Sequence, residues 1–166
     1  MERIAKFERV SEEQFKKDWI DTFGAYEPVP YENITLPSRA TMGSAGYDFR
    51  TPAAFTLAPG ETIKIPTGIR VRIENGWFLG IYPRSGLGFK YRLQMNNTVG
   101  IIDSDYYFSD NEGHIFIKMT NASNEGRMLS LNAGDGFAQG IFMPFGITED
   151  DDVSAERNGG FGSTGK

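Results

Sequence analysis

Five short stretches of the chain collect residue types suited to anion binding and water activation. In "YPRSGLGFK", Tyr82 to Lys90, a strand ends at Pro83, and Arg84, Ser85 and Gly86 open a short helix through "LGFKYRL". The first N–H groups of a helix lack intrahelical acceptors, and with an arginine and a serine they make a phosphate cradle. The same residues also fit a plain capped turn. In "NNTVGIIDSDYY", Asn96 to Tyr107, the apolar Val99, Ile101 and Ile102 run into Asp103. A carboxylate at the end of an apolar strand is placed to orient and deprotonate a water. It equally fits an Asx turn, in which Asp103 bonds its own backbone. Tyr106 offers a ring for a sugar or base. In "SAGYDFR", Asp48 suits a water on a magnesium ion, or a turn. In "GDGFAQGIF", Gln139 follows a Gly134-Asp135-Gly136 turn and can donate to a phosphate or across a sheet. The stretch "RNGGFGSTGK" sets Arg157 for bidentate phosphate pairing and Phe161 for stacking on a base. Gly162, Ser163 and Thr164 add three N–H groups and two hydroxyls. A frayed glycine-rich tail does not account for that arrangement.

These residues need a scaffold, and from Leu36 onward the apolar period is two. Ile69, Val71 and Ile73 alternate with Arg70, Arg72 and Glu74, and Ile115, Ile117 and Met119 share one face. "ETIKIP", "GWFLGIYP" and "FAQGIFMPF" are further strands, separated by turns such as "APGE", "ENG" and "SDNEG". Many short strands with Gly/Pro turns predict an all-β sandwich, jelly roll or barrel. The only strong helix signal is at about 11–23. There Ser11 and Gln14 fit a capping box, and Phe15, Trp19 and Phe23 form one stripe. The expected organisation is an N-terminal extension over 1–36 that packs on the domain or on a neighbouring subunit, a β core over 37–149, and an acidic hinge and arm over 150–166.

The 166 residues suit one domain. The absence of cysteine excludes disulfides and thiolate metal sites, and a single histidine excludes a multi-histidine zinc site. His114 itself reads as an ordinary surface or strand residue. A net charge of −5 argues against a broad nucleic-acid surface, so any anion must be held locally. No apolar run approaches the roughly 20 residues of a membrane span, and the charged start lacks a signal-peptide core. The expectation is a soluble, cytoplasmic protein without nucleic-acid or membrane partners.

Together, "AGYD", "PRSGLG", "NTVGIIDSDYY", "GDGFAQGIF" and "RNGGFGSTG" resemble the five motifs of the trimeric-type dUTPases, in that family's order. The resemblance implies a β-jelly roll (β-clip) assembled as a threefold homotrimer whose active sites are shared between subunits. It implies magnesium-assisted cleavage of dUTP to dUMP and pyrophosphate by in-line attack of water on the α-phosphorus. That activity limits uracil incorporation into DNA and supplies dUMP for dTTP synthesis. By matching position, Asp103 would be the general base. Asn97 and the backbone around Gly100 to Ile102 would read uracil. Tyr106 would pack under the deoxyribose and exclude a 2′-hydroxyl. Arg84, Ser85 and Gly86 would hold phosphates, with Gln139 assisting, and Asp48 would contact hydrated Mg2+. Arg157, Phe161, Gly162, Ser163 and Thr164 would form a lid. The alternatives are a dCTP deaminase-type relative on the same fold and a dUTP-responsive regulatory binding protein.

Overall fold

In the computed structural model, which describes residues 1–26, 31–155 and 157, the period-two stretches form antiparallel strands. In chain order the strands are β1 (Ala5–Arg9), β2 (Tyr47–Arg50), β3 (Phe55–Leu57), β4 (Thr62–Pro66), β5 (Ile69–Ile73), β6 (Trp77–Pro83), β7 (Leu93–Met95), β8 (Gly100–Ile102), β9 (Phe116–Asn121), β10 (Leu129–Leu131) and β11 (Gly136–Pro144). The helices are α1 (Glu12–Phe23) and α2 (Ser85–Tyr91), and a 3₁₀ turn covers Ser104–Phe108. The strands build sheets of order β2-β11-β6-β8, β4-β9-β7, β1-β5 and β10-β3. This is the expected all-β, jelly-roll-like architecture.

The alternation read from the sequence is what buries the core. Ile69, Val71 and Ile73 of β5 point inward, as do Ile117 and Met119 of β9 together with Ile115 just before it. They pack with Phe49, Leu79, Ile81, Ile102 and Phe137 into one cluster. Burying side chains of this size stabilises the fold by about 1.5–3 kcal/mol each.

The described part of the N-terminal extension packs on the domain, one of the two placements expected for it. It contains a strand, β1, that the charged sequence did not reveal and that pairs along its length with β5 from Ala5↔Ile73 to Arg9↔Ile69. Helix α1 then lays Phe15 and Trp19 into the core, while Phe23 is exposed and stacks on Trp19. Ser11 caps α1 as expected, its hydroxyl accepting the Gln14 N–H at 3.1 Å. The box is not closed, however. The Gln14 side chain bonds Asp18, and the Ser11 N–H donates to Glu112 instead.

His114 is not a surface residue: it is fully buried, with its ring against Phe15 and Phe116. The acidic run Glu149 to Asp152 is solvent-exposed, as a hinge requires. No described helix is long and apolar enough to cross a membrane.

Candidate active site

Three strands bring one cluster together. Asp48 of β2 lies opposite Gln139 of β11, which lies opposite Tyr82 of β6. One residue past the end of β6, Arg84 starts α2. The result is a cleft of about 550 Å³ lined by Asp48, Arg84, Ser85, Gly86 and Gln139, five of the residues expected to meet phosphate or metal. Arg84 Nε pairs with Asp48 Oδ1 at 3.1 Å. Gln139 donates from Nε2 to the Pro83 carbonyl at 3.1 Å, so it bonds across the sheet while lining the cleft. The Arg84 carbonyl accepts from Leu87 and Gly88, and no side chain caps α2. The Ser85 and Gly86 N–H groups, first in the helix, have no intrahelical acceptor.

Gly136 is a site residue that the sequence signalled only as part of a turn. A Cβ there would meet Arg84 Nη1 at 2.7 Å, so the bare Cα leaves the room the Arg84 side chain occupies beside β11.

A second cluster sits on the β8 edge and the turn after it. Asp103 opens the 3₁₀ turn with its carbonyl accepting the Tyr106 N–H at 3.2 Å, and its carboxylate makes no capping bond. The Asx-turn alternative therefore does not hold. The carboxylate faces outward, 48% exposed, and accepts from Arg157 Nη2 at 2.6 Å. Arg157 Nε also pairs with Asp105 at 2.9 Å, a partner not expected from the sequence, and its guanidinium lies 5.9 Å from the Tyr106 ring centroid. Tyr106 is 2% exposed, and burial pushes its hydroxyl up to about 12. It stays a neutral donor at physiological pH. Asn97 is exposed in the turn before β8, and its carbonyl accepts the Val99 N–H. Among the described residues, β8 pairs with β6 through Gly100 and Ile102 and is the edge of its sheet, so its outer backbone edge has no strand partner. The expected lid residues Phe161, Gly162, Ser163 and Thr164 lie outside the described residues.

The two clusters do not meet in one chain. Ile81 pairs with Gly100 and Leu79 with Ile102, so Asp103 is level with Phe78, six positions from Arg84 along β6. At strand rise that is roughly 20 Å.

Among the described residues, no three of His, Cys, Asp and Glu gather as a metal-binding group. A protein-only cage is thus not provided. A magnesium ion that keeps its waters and leans on one carboxylate is the kind that a lone Asp48 in the cleft fits.

The dUTPase family model matches residues 32–165, and the chain belongs to that family. It is 43% identical over 140 residues to the deoxyuridine 5'-triphosphate nucleotidohydrolase of Lactococcus lactis, covering 81% of this chain and 92% of that protein. The crystal structure of dUTPase from Streptococcus mutans superposes with a TM-score of 0.64 at 33% identity, over 86% of this chain and 98% of that one. The dUTPase of S. aureus phage phi11, described with a structural Mg(II) ion, shares the fold at 22% identity and TM-score 0.64, over 92% and 98% of the two chains.

Proposed function

We propose that the chain hydrolyses dUTP to dUMP and pyrophosphate at sites shared between the subunits of a homotrimer. The separation of roughly 20 Å between the Asp103 and Arg84 clusters carries this reading, because a triphosphate spans far less than that strand distance. One nucleotide engages both clusters only if they come from different copies. Ring closure by heterologous contacts supplies such a pairing three times in a trimer. The relatives' names support dUTP as the substrate and do not favour a deaminase.

Asp103 holds the attacking water for in-line displacement at the α-phosphorus. Its outward carboxylate and lack of a backbone commitment suit that role. Arg84, Ser85 and Gly86 bind the phosphates, with Gln139 beside them, and Arg157 joins them when it leaves Asp103. Phosphoryl-type transfer depends mainly on positioning and charge neutralisation, which such donors provide. Asp48 would hold a magnesium ion through water, and such an ion would supply positive charge beside the phosphates.

The exposed backbone edge of β8, with Asn97, reads the donor and acceptors of uracil. A cytosine leaves those groups mismatched, which costs affinity. Tyr106 packs under the deoxyribose, and Phe161, Gly162, Ser163 and Thr164 close over the nucleotide. Hydrolysis in the cytoplasm would limit uracil in DNA and supply dUMP for dTTP synthesis.

Asp103→Asn tests the assignment of the base. It should lower kcat by about 10²–10⁴ with the dUTP affinity largely kept. Wild-type turnover from that variant would remove Asp103 from the mechanism.

A further inference from the structure

Residues 5–18 lie before the matched family region, which begins at residue 32, and nothing in the proposed chemistry uses them. Three residue pairs nevertheless tie them to the segment 106–114, which carries Tyr106. Tyr107 donates its hydroxyl to Glu8 of β1 at 2.6 Å. Ser11 donates from its N–H and its hydroxyl to the two oxygens of Glu112, at 2.7 and 2.6 Å. Asp18 of α1 meets His114 Nδ1 at 2.6 Å, deep in the core.

The His114 contact has a defined direction. Nε2 accepts the Gly68 N–H at 2.8 Å, so in the neutral ring Nδ1 carries the proton and donates to Asp18. The carbonyl of the same histidine accepts the Tyr106 hydroxyl at 2.6 Å, and Asn111 Nδ2 donates to that hydroxyl at 2.9 Å. Between them, Gly113 sits at φ 69° with its Cα against the backbone of Tyr106 and Tyr107. A Cβ there would lie 2.7 Å from Tyr107 Cα. The segment therefore has no slack through which a shift at His114 could dissipate before it reaches Tyr106.

We propose that the β1–α1 segment is a clamp on the segment 106–114, with Asp18 and His114 as positioning residues that fix the Tyr106 ring against the sugar and so set discrimination between deoxyribose and ribose. The proposal rests on the reading that Tyr106 packs under the deoxyribose. Asp18 acts through His114 and touches no substrate. Losing its carboxylate leaves a buried N–H on His114 unpaired, and the backbone that carries the Tyr106 acceptor moves to relieve it.

The experiment compares kcat/KM for dUTP and UTP in the intact full-length protein. Asp18→Ala should reduce the dUTP/UTP ratio by about tenfold, mostly through KM. Asp18→Asn still offers an oxygen to His114 and should recover most of the ratio. An unchanged ratio in Asp18→Ala, with only a lowered Tm, makes the contact merely structural and overturns the proposal. Should Asp18→Ala fail to fold, Tyr107→Phe cuts the Glu8 link at nearly constant volume. It should shift the ratio about two- to threefold, and no shift overturns the clamp. A wild-type protein that does not prefer dUTP over UTP overturns the reading of Tyr106 itself, and the two failures are thereby told apart.

Discussion

Arg84 is held by contacts on two sides. Asp48 pairs with its Nε, and the bare Cα of Gly136 leaves room for its Nη1. Gly136→Ala would push a flexible side-chain end, not backbone, so folding should change little. The guanidinium would move out of the cleft. The expected outcome is a KM for dUTP raised about tenfold with Tm nearly unchanged, read from steady-state kinetics and thermal unfolding. A lowered Tm with an unchanged KM would place Gly136 in the fold instead of the site. At this scale the sequence was legible wherever a residue works with its immediate neighbours. "PRSGLG" and "AGYD" announced Arg84 and Asp48, and the structure sets them in one cleft. His114 was misread because its partner Asp18 is 96 positions away, and no local pattern links the two. Asp105 escaped notice for a similar reason: its partner Arg157 lies 52 positions on.

Strands announce themselves by alternation, and β5 and β9 were plain for that reason. Strand β1 was not, because "AKFER" buries no side chain fully and carries three charges. What defines it is its pairing with β5, a long-range fact. The same element carries a pH signature. Hydrogen bonds from Lys6 and Tyr107, with the charges of Lys6 and Arg70, hold the Glu8 carboxyl below its ordinary value. Burial would raise Asp18, but bonds from His114 and Gln14, with the nearby charge of Lys17, outweigh it and leave it lowered. Glu112 likewise stays low against burial, because Ser11 donates twice to it. A carboxyl lowered in the folded state contributes stability that is complete above its unfolded value and lost as pH falls through its folded one. The ordinary values are 4.5, 3.8 and 4.5 for Glu8, Asp18 and Glu112. The clamp should therefore hold at neutral pH and loosen as pH drops below that range. Thermal unfolding measured across acid pH should show this loss, and Glu112→Gln should flatten part of it. A pH profile identical to wild type in that variant would contradict the contribution of Glu112.

In the whole molecule, the proposed sharing of a site between copies makes a sharp demand on assembly. Arg84→Ala and Asp103→Asn each disable one half. Mixed by co-refolding, subunits of the two variants should regain about a quarter of wild-type sites if each site takes its halves from different copies. Mixtures as inactive as either parent would mean that both halves act within one chain. This level was the least legible from residues alone, since strand register, not motif order, separates Asp103 from Arg84. The central claim, that these half-sites together recognise and cleave dUTP, is most directly tested by pyrophosphate release across dUTP, dTTP, dCTP and UTP under one set of conditions. The roles proposed for the β8 edge and the Tyr106 ring predict a strong preference for dUTP over the other three. Equal rates for all four nucleotides would contradict it.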